Sequence, residues 1–299
     1  MNREKLKAHL THEVYRALTQ RPLPSDGAKV TVCKELTLRT LTRLLERKTV
    51  AIHIPGYFDR RLAARAQRRI VRHCKIENWK LGSGKQQSPT DMNYALGFPR
   101  IETLKSAHSA RRYLRESLPA IRKIRHAFSP YLSPMDQLRL ELSELWGSGL
   151  EHVPFKGQPG LIGLTRIMQS KTLLPGDART DGVCHVDALP NPVTLSANLY
   201  VSMPKSGGEL KIWNVEVSEK SSRHPIFKLL RTQAFDPTWR EVLPHLLPSP
   251  QVIQPKEGDL IILDSSRPHA VAGFPRGRRI SIQSFIALDA KTQRLKIWS

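Results

Sequence analysis

The sequence predicts an α+β fold in which a β-sandwich or jelly roll is dressed by helices from the N-terminal half. Three observations carry that expectation. Apolar residues recur at helical spacing in the first 150 positions; short β-rich segments broken by Gly and Pro follow them; no internal repeat or low-complexity linker separates the two. The 299 residues are therefore expected to form one domain, 1–150 being its helix-rich part and 151–299 its β part.

Taken in order, TVAIHIPG at 49–56 is a short β-branched run closed by Pro-Gly, which predicts a buried strand. Asp59 precedes RRLAARAQRRIVRHCK, where Leu62, Ala66, Ile70 and Cys74 return every four residues, so a helix capped by Asp59 is predicted. Residues 109–128 repeat the pattern through Leu114, Leu118, Ile121, Ile124 and Phe128, and Pro119 is expected to kink or split that helix. Ser133-Pro134 opens another, Ser as cap and Pro in the first turn, with Leu138, Leu142 and Leu145 on one face.

Past residue 150 the predicted strands are LIGLTRIMQS (161–170), VTLSANLYVSM (193–203), GELKIWNVEV (208–217), LIILD (260–264) and RISIQSFIAL (279–288). Pro204 to Gly208 lies between two of these and predicts a tight hairpin. In the last strand, alternation sends Ile280, Ile282 and Ser284 to one face and Arg279, Ser281, Gln283 and Phe285 to the other.

Composition narrows the function classes. Hydrophobic residues make up 39% and charged residues 25%, ordinary for a globular chain and unlike a disordered or collagenous one. No apolar run is long enough to span a membrane, and the first residues lack the apolar core of a secretory signal. Cys33, Cys74 and Cys184 form neither a disulfide framework nor a CxxC zinc pattern, so a reduced, cytoplasmic setting is expected. Charge is the outlier, at a formal net +22. The excess is concentrated in residues 1–150, with 29 basic and 13 acidic side chains against 19 and 13 in the rest. Such a field attracts polyanions or small anionic substrates.

The sharpest local pattern is Cys184-His185-Val186-Asp187. On a strand, residues two apart project from one face, so His185 and Asp187 can share a metal ion. His269, in SSRPHAVAGF after the strand LIILD, is the natural third ligand. Two histidines and one carboxylate make the facial triad of non-haem iron(II) oxygenases, which leaves the opposite face of the ion open. Ten residues beyond His269 lies Arg279, and two further Ser281, on one strand face.

In this order of residues the chain resembles the iron(II)/2-oxoglutarate-dependent oxygenase superfamily, over about residues 150–290. The resemblance implies a double-stranded β-helix and places Fe(II) on His185, Asp187 and His269. It sets the distal carboxylate of the cosubstrate 2-oxoglutarate on Arg279 and Ser281, with dioxygen as the other small partner. Arg278 and Arg276 compete for that clamp, but strand parity turns Arg278 away from Ser281. Arg166 fits the place of a second arginine that in several relatives reaches the cosubstrate or the substrate. Asn198 and Tyr200 are also expected to line the pocket and contact the cosubstrate. The connection at 88–100 resembles a lid, which makes Asn93, Tyr94, Phe98 and Arg100 candidate substrate contacts.

The layout is similar to small-molecule hydroxylases of amino-acid and alkaloid pathways. The related halogenases replace the carboxylate by Gly or Ala, whereas Asp187 is kept here. The expected activity is hydroxylation, or another oxidation, of a small anionic or zwitterionic metabolite. Two alternatives stand beside it: a nucleic-acid demethylase of the same superfamily, for which RGRR lacks the spaced Arg/Asn pattern, and a non-catalytic jelly-roll binding protein. The sequence leaves the oligomeric state undefined.

Overall fold

A computed structural model describes residues 23–73, 77–78, 93–169, 183–187, 192–220, 223–232, 234 and 243–299. Five α-helices lie among them: α1 (Leu38–Leu45), α2 (Arg60–His73), α3 (Ala107–Phe128), α4 (Pro134–Leu145) and α5 (Pro225–Thr232). Their starts are chemically marked. Asp59 accepts the Leu62 amide at 2.9 Å, Ser106 the Ser109 amide at 3.1 Å, and Ser133 the Asp136 amide at 3.2 Å. Each satisfies an amide that the first turn cannot use. Pro119 does not split α3, which runs unbroken for 22 residues. It sits on the exposed face, where water can take the carbonyl that its missing N–H would have satisfied.

Thirteen strands are described. They are β1 (Val30–Val32), β2 (Ala51–Ile54), β3 (Glu77–Asn78), β4 (Asn93–Leu96), β5 (Leu150–His152), β6 (Leu164–Gln169) and β7 (Thr194–Ser202). The chain continues with β8 (Leu210–Trp213), β9 (Pro250–Ile253), β10 (Leu260–Asp264), β11 (His269–Val271), β12 (Arg278–Leu288) and β13 (Leu295–Trp298). The larger sheet has the order β1-β2-β10-β7-β12-β6-β4-β3, with β13 on β12 and β5 on β13. It is antiparallel except at β1/β2 and β5/β13. β7 lies in its middle between β10 and β12, and all its residues are buried. The smaller sheet has the order β11-β8-β9.

One face of the larger sheet packs on the helices. Leu199, Ile262, Ile280 and Ile282 share an apolar cluster with Leu41 of α1, Ile70 of α2, Ile124 of α3 and Leu138 of α4, so both halves of the chain contribute to one core. A second apolar layer joins the sheets, with Leu210, Ile212 and Ile253 of the smaller meeting Tyr200, Ile261 and Leu263 of the larger.

The predicted hairpin at Pro204 to Gly208 is not one. β7 pairs with β10 and β12, whereas β8 pairs with β11 and β9, so the turn carries the chain from one sheet to the other. Gly207 and Gly208 adopt φ of +76° and +77°, which L side chains disfavour. A Cβ on Gly207 would lie 2.2 Å from the Gly273 carbonyl. The same Gly-rich chemistry serves a hairpin or a crossing, and long-range pairing decides between them.

Candidate metal centre

The site is assembled where the sheets meet. β10 ends at Asp264, a short loop follows, and His269 opens β11. The backbones of His185 and His269 exchange both hydrogen bonds, at 2.9 and 3.1 Å, which sets the two rings side by side with centroids 4.5 Å apart. Asp187 is fixed through its own amide, which donates to the Ser265 carbonyl at 2.9 Å.

Both rings are oriented through Nδ1. Nδ1 of His185 donates to the Val183 carbonyl at 2.6 Å and Nδ1 of His269 to the Arg267 carbonyl at 2.9 Å. The Nε2 atoms are thereby turned toward Asp187, at 3.3 Å from Oδ1 for His185 and 3.4 Å from Oδ2 for His269. One ligand atom from each of the three residues falls within 4.8 Å of the others. Burial alone would raise the Asp187 carboxyl, but the two imidazoles outweigh it and hold the group well below the usual carboxylate range. Burial likewise weighs against a charged His185, and Asp187 overcomes it, raising that ring. Two imidazole Nε2 atoms facing one carboxylate form a donor set suited to a divalent transition metal, which binds them in place of any proton they carry.

Beside this group the larger sheet presents a row of polar side chains. Ser281 lies opposite Arg166 on β6 and Tyr200 on β7, and Gln283 lies opposite Asn198. Directly paired residues share a face. Arg279 is 5% exposed; its Nη2 donates to the Tyr200 hydroxyl at 3.2 Å and its guanidinium lies 5.0 Å from that ring's centroid. Its Nε and the Ser281 Oγ are buried without a hydrogen-bond partner among the described residues. Two such donors side by side in a buried place are unsatisfied until an acceptor arrives, and a carboxylate fits them. Arg278 instead donates to Gln169 at 2.8 Å.

Arg166 donates to Gln283 at 3.1 Å, and Gln283 in turn donates to Ser196 at 2.8 Å. Burial lowers the Arg166 guanidinium, while the Asp187 charge supports it; Arg279 and Tyr200 act on it too, which puts Arg166 in the field of the same site. Asn198 is buried and donates to Ser196 at 3.1 Å. Gln283 and Ser196 are the two members of this row that sequence reasoning misses, although Gln283 shares the strand parity of Arg279 and Ser281.

Of the candidate substrate contacts, Phe98 and Arg100 are not drawn together with this group. Phe98 packs beside the cluster of Tyr113 and Leu161, with the Arg112 guanidinium 4.5 Å from its ring centroid. Arg100 lies over Phe155 at 5.5 Å. Asn93 and Tyr94 are on β4, which pairs with β6 so that Asn93 lies opposite Met168 and Tyr94 opposite Ile167. Residues 88–92 of the expected lid, and Cys74, lie outside the described residues.

No family profile matches the chain, and no curated protein does. Solved structures do. An N-substituted L-amino acid dioxygenase from Burkholderia ambifaria AMMD matches with a TM-score of 0.52 at 11% identity, over 88% of this chain and 91% of that one. The same enzyme in complex with α-ketoglutarate gives 0.51 at 9% identity, with the same coverage of each chain. HygX from Streptomyces hygroscopicus, solved with nickel and 2-oxoglutarate, gives 0.44 at 11% identity, over 84% of this chain and 87% of that one. At this identity a likeness establishes architecture, and the chain has the fold of the Burkholderia dioxygenase.

Proposed function

We propose that the protein is an iron(II)- and 2-oxoglutarate-dependent oxygenase, a single-domain double-stranded β-helix that hydroxylates a small anionic or zwitterionic metabolite. One observation carries the reading: His185, Asp187 and His269 converge beside a buried Arg279 and Ser281 whose Nε and Oγ lack hydrogen-bond partners among the described residues. The fold shared with a dioxygenase solved with α-ketoglutarate supports it. The core common to both halves supports a single domain. The free thiols of Cys33 and Cys184 support a cytoplasmic setting.

His185, Asp187 and His269 would hold the iron, and Arg279 with Ser281 the distal carboxylate of 2-oxoglutarate. When bound, iron and 2-oxoglutarate supply the oxidising chemistry with dioxygen. The chain supplies orientation. The Val183 and Arg267 carbonyls accept from both Nδ1 atoms and so aim both Nε2 atoms at the metal position, and the Tyr200 ring and hydroxyl hold the Arg279 guanidinium in place. Arg166 adds positive charge beside Asp187 and, steadied by Gln283, favours a substrate or cosubstrate bearing a carboxylate. Ile212, Ile261 and Leu263 of the apolar layer between the sheets help exclude water from the interior.

The test is succinate release from 2-oxoglutarate by the iron-loaded chain, screened against free amino acids, N-substituted amino acids and other small carboxylates. One such class should stimulate release and gain one oxygen atom. Release stimulated instead by methylated RNA or DNA, with no response to small carboxylates, would overturn the substrate assignment.

A further inference from the structure

All three candidate ligands hang from one loop, residues 264–268. The Ser265 carbonyl takes the Asp187 amide, the Arg267 carbonyl takes the His269 Nδ1 proton, and His269 is paired through its backbone with His185. Loops of this kind are ordinarily surface segments. In this one Asp264, Ser265 and Arg267 are all 0% exposed.

What holds the loop down is a buried ion cluster built from distant parts of the chain. The Arg267 guanidinium donates to the Val215 carbonyl at 2.8 Å, to Asp26 at 2.5 Å and to the Arg47 carbonyl at 3.3 Å. Its Nε lies 3.7 Å from Asp264 Oδ2, and the same oxygen accepts from Arg47 Nε at 3.1 Å. Asp264 also accepts from the Ser266 amide and hydroxyl, and Ser265 is tied through its own hydroxyl to Thr194 on β7. A guanidinium whose planar fork donates to oxygens of Val215, Asp26 and Arg47, with the Asp264 carboxylate as a further ion-pair neighbour, permits little movement of its own backbone. Its carbonyl accepts from Nδ1 of His269 and so sets which way that ring faces.

We infer that Arg267, locked by Asp26 and Asp264, is a positioning residue for the metal centre. By fixing its own carbonyl, which accepts from His269 Nδ1, it holds that ring with Nε2 aimed at Asp187, so that the segment around Asp26 is coupled to metal affinity through this cluster. The inference rests on the proposed metal reading, but its effect on the Nδ1 hydrogen bond of His269 is independent of any metal. Removing a residue that orients a ligating histidine ordinarily weakens metal binding by about 10- to 100-fold.

The experiment uses the full chain with Arg267→Lys, which keeps the charge and loses the fork, and Asp26→Asn, which loosens the clamp from its outer side. Folding is checked by circular dichroism. The metal-free proteins are labelled with 15N at histidine, the His269 signals being assigned by their loss in His269→Gln, and Co(II) affinity is measured by titration. The native chain should show His269 Nδ1 protonated and hydrogen-bonded. Arg267→Lys should show that Nδ1 hydrogen bond weakened with Co(II) affinity lowered about tenfold or more, and Asp26→Asn a smaller change in the same direction. A folded Arg267→Lys with native Nδ1 signal and affinity would overturn the inference. If Arg267→Lys does not fold, an Asp26→Asn variant with native Nδ1 signal and affinity overturns it equally. If the native chain binds no Co(II), the metal reading fails by itself, and the Nδ1 comparison still decides the role of Arg267.

Discussion

Replacing Arg279 with Ala removes the one buried guanidinium that stands beside Ser281 and Tyr200 with an unsatisfied nitrogen among the described residues. The side chain is 5% exposed, so a carboxylate held there is withdrawn from bulk water and its partner is worth more than a surface pair. Truncating one partner of a buried, hydrogen-bonded charge pair costs about 2–5 kcal/mol. At about 1.4 kcal/mol per tenfold, that is roughly a 30- to 4000-fold weaker hold on 2-oxoglutarate. Equilibrium dialysis of labelled 2-oxoglutarate against the metal-loaded chain measures it directly. Arg278→Ala is the control, because that side chain is half-buried and bonded to Gln169 and should change binding by less than about threefold. Native binding in Arg279→Ala, or a larger loss in Arg278→Ala, would refute the assignment of the clamp.

Two further expectations concern stability. Burial alone would raise Asp136, but the bonds from Arg125 and Ser133 and the charge of Arg139 outweigh it, so its folded pKa is lowered. Its stabilising contribution is therefore complete above the ordinary carboxylate range and is lost as pH falls toward the depressed folded value. Because Arg125 is about half exposed, Asp136→Asn should cost only about 1 kcal/mol at neutral pH and nothing at the acid end; an equal loss in Tm at pH 7 and at the lowest pH where the chain stays folded would contradict this. Gly207→Ala combines a positive φ with a Cβ 2.2 Å from the Gly273 carbonyl, so thermal unfolding should show at least about 2 kcal/mol of destabilisation, and a native Tm would mean that the sheet crossing is built differently.

Much of this architecture is legible in the residues. Period-four apolar spacing with Asp59 and Ser133 as caps locates two helices, because capping and amphipathicity are local and survive without tertiary context. Alternation in RISIQSFIAL separates Ile280 and Ile282, which pack on the helices, from Arg279 and Ser281, which face the polar row. Pairing over long distance is what local patterns do not carry. Pro204 to Gly208 has the chemistry of a hairpin, and only the partners of β8 show that it crosses between sheets. Phe98 and Arg100 are aromatic and basic, as a substrate contact would be, yet they pack beside Tyr113 and over Phe155. Arg267 stands two positions before His269, but its burial depends on Asp26 and Val215, and no local pattern announces partners so far away.

The metal reading depends on the convergence of His185, Asp187 and His269. Its decisive measurement is metal content after anaerobic loading with Fe(II) and desalting, taken on the native chain and on His185→Ala and His269→Ala, with far-UV circular dichroism as the check on folding. The native chain should retain one iron, and either variant should lose nearly all of it with the fold kept, because two remaining ligands hold a divalent ion poorly. One iron per chain in a folded His185→Ala or His269→Ala protein would contradict the triad.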